Sequence, residues 1–166
     1  MYGMVLGAEK SWCRETKADH SFYSHIDHHL YGTENGISYL KRLSRLHSQL
    51  NWKWFIDCYM DYRYHTHYAE KSIVCDRSDL KKDCKVLIDE LKFRSWQNDE
   101  YRQEMILAAE AVCLMAQMEE KMQGRCGEKI VDTQMWLKAF REKWLQKNKP
   151  SELYRIVDVF TYLDTI

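Results

Sequence analysis

The side chains able to do chemistry in this chain are unevenly spread. All seven histidines lie before residue 68: His20, His25, His28, His29, His47, His65 and His67. His25, His28 and His29 stand at i, i+3 and i+4. On a helix that spacing puts three imidazoles on one face, where they could meet a metal ion. His65 and His67 are two apart and would not share a helical face. The partners such a site normally recruits do not accompany them. A di-iron bundle uses Glu-x-x-His pairs from two helices, and a zinc peptidase uses His-Glu-x-x-His; neither string occurs. Solvated histidines on a surface or an interface explain the cluster with fewer assumptions. No metal and no other cofactor is expected, with His25, His28 and His29 as the residues a metal would use.

Two adjacent carboxylate pairs, Asp89-Glu90 and Asp99-Glu100, raise the chemistry of glycoside cleavage. One pair falls mid-helix and the other at a helix start, where solvation, the helix dipole and i,i+4 pairing account for both. No G-x-S-x-G, phosphate-binding loop or G-x-G-x-x-G string is present. The six cysteines (Cys13, Cys58, Cys75, Cys84, Cys113, Cys126) form no C-x-x-C pair, so a zinc knuckle and a thioredoxin-type motif are both excluded. Several fall in helical patterns, where a free thiol serves as a small buried hydrophobe. No catalytic residue is assigned.

Lys plus Arg and Asp plus Glu each number 25, and the isoelectric point is near 7.0. A balanced charge argues against a nucleic-acid partner. The Met1–Gly7 run is too short for a signal peptide and lacks a charged leader. No apolar run approaches the roughly 20 residues that cross a bilayer. No membrane partner is therefore expected, and free thiols suit a reducing cytoplasm.

The elements that would position these groups are helices. One proline and six glycines in 166 residues leave few tight turns, and 13% aromatic residues argue against disorder. Residues 1–18 resist assignment; they read as a short strand or as the severed end of something larger. Residues 19–31 predict a helix capped by Asp19 or Ser21, with Phe22, Ile26, His29 and Leu30 on one face and Gly32 as its stop. A stripe of Ile37, Leu40, Leu43, Leu46, His47 and Leu50 follows. Asn51 breaks or caps the next pattern, Trp52 to about Tyr68. Its core face is Trp52, Phe55, Ile56, Tyr59 and Met60. The tyrosines of that segment suit a buried helix better than a sugar or partner surface.

A bend is expected over Ser72–Arg77. Ser78 then caps a helix to about Ser95 on a stripe of Leu80, Cys84, Leu87, Ile88 and Leu91. Asn98 or Asp99 caps the longest helix, to Gln123, with Gly124 as its stop. Tyr101, Met105, Ala108, Val112, Met115, Ala116, Glu119 and Met122 trace one side of it; its methionines are core or interface filler. Asp132–Ile166 closes the chain as a helical hairpin. Trp136, Leu137, Phe140, Trp144 and Leu145 form one stripe, and Leu153, Ile156, Val157, Phe160 and Leu163 the other. Pro150 disfavours helix at Lys149, Ser151 is placed to cap the last helix, and Glu152 suits its dipole. The expectation is an all-α single domain over 1–166, an irregular bundle of six or seven helices ending in that hairpin.

The hairpin also carries a resemblance. WLKAFREKWLQKNKPSELYRI, Trp136–Ile156, resembles the C-terminal end of bacterial glycoside hydrolase family 20 proteins, the β-N-acetylhexosaminidases. There a helical region follows the catalytic barrel and closes on a helix with paired tryptophans, an N-K/R-x-S-E-L-like turn and a final helix. The matching residues are Trp136, Phe140, Trp144, Asn148, Lys149, Ser151, Glu152 and Leu153. Catalysis in that family belongs to a (β/α)₈ barrel with an Asp-Glu pair at a strand end. A barrel needs roughly 250 residues, and neither carboxylate pair here has a strand context. The resemblance therefore implies a non-catalytic helical domain or fragment that packs on a missing barrel or self-associates. It would present exposed Trp or Tyr in a patch larger than the few hundred Å² normal for a monomer. Two rivals are a free-standing helical adaptor and, further off, a metal-dependent bundle enzyme using the His25/His28/His29 face.

Overall fold

A computed structural model describes residues 20–67, 69, 76–125 and 127–165. The expectations for residues 1–18, Tyr68, Cys13, Cys75, Cys126 and most of the 72–77 bend lie outside the described residues. So do the side chains of Glu152 and Leu163. The described elements are all helical: α1 (His20–Ile26) runs into a π-helical turn (Asp27–Tyr31), followed by α2 (Gly36–His47), α3 (Trp52–Tyr64), α4 (Ser78–Phe93), α5 (Asp99–Met122), α6 (Thr133–Lys147), a 3-10 turn (Pro150–Glu152) and α7 (Leu153–Thr165). Among the described residues there is no strand. The expected all-α bundle of about seven helices, closing on a hairpin, is what the structure shows.

α5 is the axis. Its residues Val112–Ala116 and Met118–Glu120 are all buried, so this stretch is covered on nearly every side, with Gln117 half-buried and Lys121 exposed just beyond it. A stretch of that kind must be packed by several neighbours. α4 lies along it, and α2, α6 and the π turn cover other sides. Ala109, Cys113, Leu114 and Met118 join the core beside the expected Met105, Val112, Met115 and Ala116. Ala108, expected on the core side, is exposed.

Several helix ends differ from expectation, each for a local reason. Asn51 does cap α3, accepting the Trp54 amide at 3.1 Å. Asn98 precedes α5 without a side-chain cap; its amide instead donates to the Leu30 carbonyl at 3.1 Å, tying the α5 start to the π turn. Ser78 is the first residue of α4 rather than its cap, and Asp76 accepts its amide at 2.9 Å. Ser151 sits inside the 3-10 turn that Pro150 opens, so it does not cap α7. α6 is capped by Asp132, whose carboxylate accepts the Met135 amide at 3.0 Å.

Gly32 ends the π turn with φ 63°, and a Cβ there would collide with Gln97. Nearby, buried Asp27 accepts the Ile37 amide at 2.7 Å, so a residue ten positions back serves the first turn of α2. Burial pushes the Asp27 carboxyl upward, and the Ile37 amide only partly opposes it.

Charged side chains also enter the core. Lys81 pairs with Glu120, and Arg77 with Glu119, clamping α4 onto α5. Glu119 additionally accepts the Asn51 amide at 3.3 Å, which anchors the start of α3. Glu119 and Glu120 thus each have a cation partner, the condition for keeping such a charge inside.

Candidate functional site

The site begins with α3, whose Phe55 reaches the core while Trp52 stays half-buried and Ile56 open to solvent. Near its end α3 is held by α7: the Tyr59 hydroxyl donates to Asp158 at 2.6 Å, Arg63 lies 3.7 Å from the same carboxylate, and Tyr62 stacks on Tyr162 with centroids 4.1 Å apart. The Asp158 hydrogen bond pushes the Tyr59 hydroxyl up to about 12. Beside these attachments lies an open groove of about 730 Å³.

Each of four helices gives the groove one face at helical spacing. α3 supplies Trp52, Phe55, Ile56 and Tyr59; α5 supplies Leu107, Ala108, Ala111 and Met115. α6 contributes Trp136, Phe140 and Trp144, and α7 contributes Ile156, Val159 and Phe160. The alanines explain the space: larger side chains at 108 and 111 would fill the floor. Ile56, expected in the core, is 59% exposed because it borders this opening. The α6 aromatics form a ladder, with Trp136 stacked on Phe140 at 4.9 Å and Phe140 against Trp144 at 5.6 Å. Phe160 closes on Trp136 at 4.4 Å.

Polar groups gather at one end. Glu104 comes from the early turns of α5, Lys143, Lys147 and Asn148 from the end of α6, and Arg155 from the start of α7. Lys147 bonds Glu104 at 2.6 Å and Glu100 at 3.1 Å, and these hydrogen bonds raise its ammonium. Lys143 lies 3.8 Å from Glu100. Along the rest of the groove the aromatic polar atoms are engaged in the fold. The Trp136 indole donates to the Leu107 carbonyl at 2.9 Å, Trp144 to Lys149 at 3.1 Å, and Trp52 to His47 at 3.3 Å. The groove is a hydrocarbon and aromatic channel with a charged mouth.

The other candidates do not assemble into a reactive centre. His25, His28 and His29 are exposed on α1 and the π turn, with ring centroids 5.0 Å (His28–His29) and 6.3 Å (His25–His29) apart. Among the described residues no group of three or more His, Cys, Asp or Glu is placed to hold a metal ion. His29, expected on the apolar face, points to solvent beside them. Asp89 is exposed, while Glu90 is held by Arg42 through two bonds of 2.5 and 3.1 Å, which lower its carboxyl. Asp99 pairs with Arg102, and Glu100 with Lys147, on the α5 surface. Cys58, Cys84 and Cys113 are buried free thiols; burial pushes them to about 11, 12 and 12, so none is a ready nucleophile.

The hairpin residues divide by role. Trp136 and Leu153 are buried, Phe140, Trp144 and Asn148 face the groove, and Lys149 and Ser151 are exposed in the turn. A second, smaller cavity of about 290 Å³ lies beside Gln117, Lys121 and Asp164. Gln117 accepts the Ile130 and Val131 amides at 2.7 and 2.9 Å, a tether for the loop before α6. Comparison with protein-family models, curated proteins and solved structures finds no match for this chain. Among the described residues no helix is long and apolar enough to cross a membrane.

Proposed function

We propose that this chain is a non-catalytic helical domain of a protein similar to the family 20 β-N-acetylhexosaminidases, packing on a catalytic barrel or on a second copy of itself. The observation that supports this reading is the closing hairpin. The residues that carry the resemblance have physical work in it: Trp136, Phe140 and Trp144 build the ladder, and Leu153 seats α7. A packing surface is available at the α3–α7 edge. Tyr62, Tyr64 and Tyr154 are 56%, 62% and 62% exposed there. Tyr154, Asp158 and Tyr162 follow one another along a single face of α7, and Tyr62 stacks on the last of them. Amphipathic rings in such a row suit an interface.

A chromogenic N-acetylglucosaminide assay with light scattering tests the reading. The chain alone should give no turnover, and should dimerise or bind a barrel domain encoded beside it. Replacing Tyr62 and Tyr154 by Lys should weaken that association. Turnover by the isolated chain would overturn the proposal, as would a monomer that binds no such barrel.

The groove favours a second reading, a free-standing helical binding domain. Its volume lies within the range of small-molecule sites, which often sit between helices of a bundle.

A further inference from the structure

We draw no further inference here: the strongest candidate, the apolar groove of about 730 Å³ among α3, α5, α6 and α7, has the charges of Lys143 and Lys147 at its mouth balanced by Glu100 and Glu104, and nothing in the structure shows what covers it.

Discussion

Removing the Lys81 ammonium while keeping its bulk should cost this fold about 3–5 kcal/mol. Lys81 and Glu120 are both buried, with side-chain exposures of 7% and 6%, and they join α4 to the most buried stretch of α5. Lys81 Nζ also reaches the Glu128 carbonyl at 3.4 Å. In Lys81→Met the Glu120 carboxylate remains in that environment without its cation, and the penalty is that of an uncompensated buried charge. Replacing both residues, as in Lys81→Met with Glu120→Leu, removes the stranded charge, and buried pairs replaced whole are often neutral or mildly stabilising. The double variant should therefore be more stable than the single one by about 2 kcal/mol or more, a large non-additivity for residues in contact. Urea unfolding followed by circular dichroism measures all four members of the cycle. A cost below about 1 kcal/mol for Lys81→Met, the level of an exposed pair, would refute the reasoning. So would a double variant no better than the single.

Three further expectations rest on other parts of the structure. Asp27 is held above its ordinary value of 3.8 by burial, so the folded state keeps this proton longer than the unfolded chain. Its contribution is thus favourable at acid pH and is lost as pH rises through the folded value. Asp27→Asn should flatten that fall in stability, and an unchanged pH profile would contradict the assignment. Tyr59, pushed to about 12 chiefly by its hydrogen bond to Asp158, contributes fully below pH 10.0 and loses that contribution as pH rises through its folded value. Tyr59→Phe should remove one late-titrating phenolate from the ultraviolet titration and speed amide exchange in α3. Trp136→Ala, which empties a 4% exposed site stacked on Phe140 and Phe160, should cost about 3–5 kcal/mol in the same urea assay.

Helical periodicity in the sequence makes most of the architecture legible. The stripes of α2, α4 and both hairpin helices were readable because apolar residues recur there on one face, although His47 and Leu145, expected in them, are exposed; Gly32, Asn51 and Gly124 marked ends that the structure keeps. The capping roles expected of Ser78, Asn98 and Ser151 failed for a common reason. Each residue type caps well, but Asp76, the Leu30 carbonyl and the Pro150 turn compete for the same backbone or side chain. The buried charges were half visible. Glu119 falls on the α5 stripe, and Lys81 stands three and seven residues before Cys84 and Ile88 on α4, yet burial of a charge depends on a partner from another helix.

The groove was not legible at all. Its liners were readable as separate stripes, but only tertiary packing shows that Ala108 and Ala111 leave the faces of four helices uncovered. The nearest sequence signal is those two small residues, and it is weak, because the same helix carries Ala109 and Ala116 in the packed core. The histidine cluster had the opposite fate. Its spacing was conspicuous, yet the fold leaves His25, His28 and His29 in solvent, and Asp27, the carboxylate between them in sequence, turns inward to serve α2.

The central claim, a helical domain allied to family 20 enzymes and dependent on a catalytic barrel elsewhere, is tested most directly by the coding DNA on either side of Met1. The account predicts a neighbouring or continuous reading frame that encodes a (β/α)₈ barrel with an adjacent Asp-Glu pair at a strand end. A chain encoded alone, with no such barrel in the same frame or beside it, would contradict it.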